Sequence, residues 1–252
     1  MRESDEYFVG TCSHVNESDE IDRCSEKRRT WFKKMHPEGL RAKTALIDGN
    51  HVGFLYVMPI EICPWGPRGK DLMVIPCLYV LNRFIGKKFG SMLLDEAGKE
   101  TRRQGKKALA VTAYYHDFWF MPATYFEVHG FVPVKRKEKT AILWQVYDPS
   151  AQAPEFLESR YEFKPVPGKV VIDLFWNIFC QTSTIEAGRV REVAAEFGDD
   201  VILNEYPADD RKIFRQYQIS RGIYINGKEA YWGYEAPRDG LRKAIEKALA
   251  DS

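Results

Sequence analysis

Two glycines bracket two lysines in the stretch Gly86-Lys87-Lys88-Phe89-Gly90, and a hydroxyl follows at Ser91. Residue types in that order suit the binding of an anion. The first turn of a helix has amide hydrogens without intrahelical partners, and its dipole adds partial positive charge there. Gly86 and Gly90 would let backbone come close to a phosphate, while Lys87 and Lys88 supply charge. The stretch therefore reads as a site for a phosphate-bearing ligand, or else as a plain glycine turn between a strand and a helix.

The flanking residues say which elements would hold it. Upstream, Leu72 to Val80 (LMVIPCLYV) is an apolar run rich in strand-favouring types and too short for a buried helix, so it reads as a buried strand. Downstream, Phe89, Met92, Leu93, Ala97 and Glu100 keep helical spacing, and Gly105 supplies the stop. The result is a strand, a glycine-bearing loop and a helix opening at Ser91.

Composition bounds what such a site can serve. The 252 residues allow two domains, and 44% hydrophobic with 13% aromatic content suffices for packed cores. A net charge of +1 gives no reason to expect nucleic acid or an anionic membrane as partner. Apolar runs fall short of a membrane span and the N-terminus MRESDEY is too polar for a signal peptide, so the expected location is cytoplasmic. The 5 cysteines are widely spaced without a C-x-x-C pair, and the 5 histidines show no ligand spacing, so no disulfide framework and no metal are expected.

In chain order, Tyr7 to Cys12 reads as a strand, Asp19 to Met35 as a helix, and Ala42 to Asp48 with His51 to Pro59 as a hairpin turning at Gly49 and Asn50. Cys63 to Asp71, with two prolines and two glycines, reads as a loop before the central strand. Ala108 to Ala113 follows as a strand. A short helix then starts at Pro122 and ends before Gly130, and Phe131 to Val134 pairs with Thr140 to Tyr147 across the turn KRKEK.

This order, with its loop, resembles the GNAT family of acyl-coenzyme A dependent N-acyltransferases over about residues 5 to 147. The family's pyrophosphate loop, Q/R-x-x-G-x-G/A, aligns with Ile85, Gly86, Lys87, Lys88, Phe89 and Gly90; Ile85 and Lys88 depart from it. Its closing Y-e-k-x-G-F pattern aligns with Phe126, Glu127, Val128, His129, Gly130 and Phe131. The resemblance implies a mixed, mostly antiparallel sheet flanked by helices, and acetyl-CoA or CoA as co-substrate. It also implies thioester contacts at the backbone of Leu78 and Val80, and pyrophosphate contacts from Gly86 through Ser91. Many members use a tyrosine to protonate the departing thiolate, and that position is Phe126 here. Tyr125 lies one residue away, about 100° round a helix, and is read either as that acid or as a packed aromatic.

The implied reaction is direct attack on the thioester by an amine of a small molecule or peptide. It needs a base, and Glu61, Asp71, Asp117, Glu127, His14 and His116 are candidates that spacing does not separate. Cys77 reads as an acyl-carrying nucleophile or as a core residue. Tyr114, Tyr115, Phe118, Trp119 and Phe120 read as core or as one wall of an acceptor pocket shared with Cys63 to Asp71. KRKEK reads as a phosphate contact or a solvated hairpin.

Pro149, Pro154, Pro165 and Pro167 mark residues 149–168 as a linker with a short strand at Tyr161 to Phe163, between domains at 1–148 and 169–252. The second domain reads as strand Lys169 to Phe175, helix Thr184 to Phe197, strand Val201 to Tyr206 and helix Asp209 to Gln216. A hairpin about Asn226 and Gly227 and a helix Arg238 to Ala250 complete it. That order, with DLFWNIFCQTS, resembles a thioredoxin-like domain in which Cys180 and Ser183 stand for the two cysteines. Arg221 or Tyr224 occupies the place of its facing proline. The pairing of both halves resembles the YoaP type of N-acetyltransferase. Two alternatives to an enzyme of acyl transfer stay open: a CoA-binding or protein-interaction module without catalysis, and a monothiol protein acting through Cys180.

Overall fold

The computed structural model describes residues 3–116 and 120–251. The chain forms two compact units, one of Met1–Val15 with Arg29–Leu157 and one of Asn16–Arg28 with Glu158–Ser252.

In the first unit a six-stranded sheet runs in the order β1-β2-β3-β4-β6-β5. Its strands are β1 (Arg41–Ile47), β2 (Asn50–Pro59), β3 (Leu72–Val80), β4 (Ala108–Tyr114), β5 (Val132–Lys137) and β6 (Thr140–Val146). Only β3 and β4 pair in parallel; the other neighbours are antiparallel. Helix α3 (Phe89–Arg103) connects the parallel strands β3 and β4 and buries Leu93, Leu94 and Ala97 against Leu55, Met73, Ile75 and Leu109. The opposite face is covered by Phe8, Trp31, Phe32, Phe54 and Tyr56, a chain of ring contacts. Covered on both faces, Leu72 to Ile75 are completely buried, which is why this strand reads as an unbroken apolar run.

The N-terminal segment corrects one expectation. Tyr7 to Cys12 is not a strand: Glu3–Gly10 is helix α1. Acidic residues at Glu3, Asp5 and Glu6 favour the start of a helix, and an apolar triplet is too short for its period to be read. Phe8 stacks on His51 with ring centroids 4.6 Å apart, and Asp5 Oδ1 lies 2.7 Å from His51 Nε2. The two-residue hairpin turn is Asp48-Gly49, both at positive φ, and Asn50 already pairs with Ile47. KRKEK is mostly strand, since Lys135 to Lys137 belong to β5 and only Glu138 and Lys139 turn.

Helix α2 (Asp19–Met35) has the bounds its sequence pattern predicts, and α4 is the short helix Ala123–Glu127. In the second unit β7 (Val170–Trp176), β8 (Val201–Pro207), β9 (Gly222–Ile225) and β10 (Lys228–Ala230) form a sheet in the order β10-β9-β7-β8. β7 pairs in parallel with β8 and antiparallel with β9. Helices α5 (Gln181–Ala195) and α7 (Arg238–Ala250) pack Val190, Val193, Leu241 and Ile245 on Val170, Ile172 and Leu174; α6 is Arg211–Tyr217. Tyr161 to Phe163 form no strand. They pack instead by side chains: Tyr161 donates to buried Asp173 at 2.7 Å, its ring centroid 4.4 Å from that of Tyr224. Among the described residues no helix is long and apolar enough to cross a membrane.

Candidate functional site

The site begins where two strands part. β3 and β4 are paired from Leu72↔Ala108 to Ile75↔Val111 and no further. Beyond that point β4 continues beside β6 as far as Tyr114, while β3 continues beside β2 as far as Val80. Pro76, which has no amide hydrogen, sits at the parting. On its other side the register with β2 shifts between Tyr56 and Met58, so that Ile75 and Pro76 form a bulge opposite Val57 and β3 bends there. Exposure changes at the same place: Leu72 to Pro76 are buried, whereas Cys77 to Val80 are half-buried. A wedge is thereby opened along one edge of Leu78 to Val80.

The loop after β3 brings the helix N-terminus to the mouth of this wedge. Leu81 donates to Val52 O, a single 3-10 turn covers Asn82–Phe84, and Lys87 N donates to Phe84 O. Gly86 (φ 80°) and Lys88 (φ 65°) both take left-handed backbone, which turns the chain sharply into α3. Lys88 is the N-cap and offers no side-chain bond to the first turn, which also carries no acidic residue. The leading amides of α3 and its dipole are thus left for an external acceptor. Lys88 occupies the left-handed position at which the resembling loop has glycine.

A cleft of about 300 Å³ joins wedge and loop. Leu78, Val80, Ile85, Gly86, Lys88, Phe89, Gly90, Ser91, Tyr125 and Phe126 all border it. Lys87 does not; its ammonium lies 5.1 Å from the centre of the Phe84 ring, which Arg83 also approaches at 5.1 Å. Phe126 is fully buried in the core, with its ring 5.5 Å from that of Phe131. Tyr125 packs partly buried against the same cluster, and its hydroxyl is buried without a hydrogen bond of normal geometry among the described residues. Burial pushes the phenol above its ordinary pKa, and the nearby Ser91 hydroxyl offsets part of the rise. A tyrosine in that condition holds its proton at neutral pH.

The other sequence candidates are mostly engaged elsewhere. Glu61 accepts from Asp71 N at 2.6 Å and from Lys106 at 3.4 Å, which closes the loop before β3. Glu127 accepts from the Tyr115 hydroxyl, and His116 stacks on Tyr114 at 5.3 Å. His14 is exposed in the turn after α1. Asp117, Phe118 and Trp119 lie outside the described residues. Cys77, which pairs with Tyr56 across the sheet, is not among the residues that border the cleft. Lys135 to Lys137 lie on β5, separated from β4 by β6, and Glu138 and Lys139 turn beyond them. Sequence reading passed over Pro76, whose presence inside a buried strand is itself a signal for a bulge. It also passed over the pairing of Ser91 with His129, 2.7 Å apart and 38 positions apart in sequence, for which no local pattern exists.

In the second unit, Cys180 is the N-cap of α5 and its amide donates to Asn177 Oδ1 at 2.8 Å. Ser183 is buried, with its hydroxyl accepting from Asn177 N at 3.0 Å. Arg221 holds Glu186 at 2.7 Å and stands in electrostatic contact with Cys180, whereas Tyr224 packs with Tyr161. Asp209 Oδ2 accepts from Ile178 N at 2.5 Å, and burial pushes its carboxyl up to about 6 against backbone hydrogen bonds that pull it down.

No protein-family model matches the chain. No curated protein sequence matches it either. Among solved structures, the chain is similar to the PaiA N-acetyltransferase of Thermoplasma acidophilum in complex with coenzyme A. The identity is 16%, the match covers 57% of this chain and 87% of that one, and the TM-score is 0.38. An acetyltransferase of the GNAT family from Staphylococcus aureus Mu50 matches at 15% identity over 58% and 95%, with a TM-score of 0.40. Aminoglycoside 6'-acetyltransferase type Ii matches at 16% identity over 57% and 90%, with a TM-score of 0.43.

Proposed function

We propose that the first unit is a GNAT-type N-acyltransferase that moves an acetyl group from acetyl-CoA to an amine of a small molecule or peptide. The observation that carries this reading is the parting of β3 from β4 at Pro76, directly beside the uncapped N-terminus of α3. A thioester arm that contains amides can lie along the free edge of Leu78 to Val80, as an added strand would. Its diphosphate then meets the amides from Gly86 to Ser91 and the charge of Lys88. The carbonyl carbon would lie within the wedge, where an amine can attack it; collapse expels the thiolate, and Tyr125, which borders the cleft and keeps its proton, is assigned to protonate it.

Calorimetry of the full chain with acetyl-CoA and with CoA tests the binding, and release of free thiol across a panel of amines tests the transfer. Micromolar binding and amine-dependent thiol release are expected. The absence of binding by folded protein overturns the proposal. Binding without transfer to any amine supports a second reading, a CoA-binding module, which the burial of Phe126 in the tyrosine's usual place favours.

For the second unit, the element order from β7 to α7 supports a thioredoxin-like reading, with Cys180 at the head of a helix as its thiol.

A further inference from the structure

The edge of β4 that β3 leaves is taken up by a short piece of the same chain. Continued past Ile75↔Val111, the parallel register would set Leu78 level with Tyr114. It does not continue. Tyr115 N donates to Lys139 O on the β6 side, so Tyr114 N, one residue earlier, points to the opposite edge, where it donates to Met121 O at 2.9 Å. Pro122 completes a single parallel bridge with Tyr114. Met121 thus occupies the β4 side of the wedge at the level of Leu78, and both residues border the cleft.

Met121 also has an unusual backbone. Its φ of 48° is left-handed, a conformation that glycine would take without strain. The side chain is 3% exposed and belongs to the core cluster that contains Ala113, Ala123 and Phe126. A methionine adapts its shape where it has space, but this one is enclosed. The cleft therefore runs from the amides and the lysine of the loop at one end to Leu78, Met121 and Phe126, all apolar, at the other.

We propose that Met121 limits the acyl group to short chains, acetyl or propionyl. This rests on the acyltransferase reading above. With the diphosphate at Gly86 to Ser91 and the arm along Leu78 to Val80, the acyl carbons point at Met121 and Phe126. Each further methylene must push Met121 into a core that is already filled. Met121→Ala removes Cγ, Sδ and Cε, and so opens the room that the two extra methylenes of a butyryl group need.

The test reads affinity and needs no acceptor amine: calorimetry of the full chain with CoA, acetyl-CoA and butyryl-CoA. The unaltered chain is expected to bind butyryl-CoA roughly tenfold or more below acetyl-CoA, and Met121→Ala to bring the two within about threefold. The ratio is taken within one protein, so a general weakening from a loosened core lowers both affinities and cancels. Met121→Gly removes the same side chain at a φ that glycine takes freely, and it supplies the ratio if the alanine variant does not fold. Equal affinities in the unaltered chain, or a ratio that neither variant moves, overturn the proposal. Failure of the folded, unaltered chain to bind CoA or acetyl-CoA is a separate outcome that strikes the acyltransferase reading itself, and this proposal with it.

Discussion

Gly90 and Tyr125 share a space that admits only one of them: a Cβ on Gly90 would stand 2.3 Å from the Tyr125 hydroxyl oxygen. The glycine is needed there for what it lacks, since its φ is ordinary and the helix would otherwise favour alanine. Gly90→Ala therefore gains helix propensity and loses more through overlap, with a net destabilisation of about 1–2 kcal/mol. The ring must swing toward solvent, so spectrophotometric titration is expected to show the Tyr125 phenol returning toward the ordinary tyrosine value. A phenol as masked as before would mean that the helix moves instead.

Lys88 is caught between backbone and charge. Its left-handed conformation costs about 1 kcal/mol in a residue with a Cβ. Lys88→Gly is expected to raise thermal stability by about 0.5–1 kcal/mol while weakening CoA binding several-fold. Lys88→Glu is expected to weaken binding further and in a salt-dependent way. Unchanged affinity at low salt in Lys88→Glu would place the diphosphate elsewhere.

Glu100 makes the first unit sensitive to acid. Burial alone would push its carboxyl up, but hydrogen bonds from Arg103 at 2.7 Å, Gln104 at 2.8 Å and Lys43 at 3.0 Å outweigh that and hold its pKa at about 2. A depressed pKa gives stability that is complete above the unfolded carboxyl's range and drains away as pH falls toward about 2. Glu100→Gln is expected to lower stability by about 2 kcal/mol at pH 7 and to flatten the decline between roughly pH 4.5 and 2. Urea unfolding across that window is the measurement, and parallel curves for the two proteins would assign the decline to other groups.

Asp209 works with the opposite sign in the second unit. Its folded-state pKa of about 6 lies above the unfolded value, so the charged form is penalised and stability falls as pH rises from about 4 through 6. Asparagine keeps an oxygen for Ile178 N and carries no charge. Asp209→Asn is expected to raise the melting temperature above pH 6 and to have little effect at pH 4. The same shift at both values would point to packing in place of ionisation.

Regular elements were legible wherever burial and period agreed. β3 (Leu72–Val80) and α7 (Arg238–Ala250) have the bounds their patterns give, because one is apolar without interruption and the other alternates with a helical period. Tyr7 to Val9 misled because three apolar residues fit either period, and only the docking of Phe8 against His51 and Phe54 settles them as helix. The loop residues that border the cleft could be named in advance, since glycine and lysine before a helix have a local meaning. The wedge has no local pattern of its own, since it depends on β3 having different partners on its two edges, and only the resemblance, with its backbone contacts at Leu78 and Val80, pointed to it. His129 was visible only as one letter of a pattern. Its bond to Ser91 joins positions that the fold alone brings together.

The second unit is discontinuous in sequence: residues 16–28 belong with residues 158–252. Glu20 receives Arg189 at 2.7 Å and Arg238 at 3.1 Å, and Arg28 Nε donates to Phe179 O at 2.9 Å. During synthesis, a chain emerged as far as residue 157 holds every segment the first unit uses, but Glu20 and Arg28 still await partners made later. The order in which the ribosome delivers the chain thus favours completion of the first unit, and the second closes only when its last helix, with Arg238, has emerged.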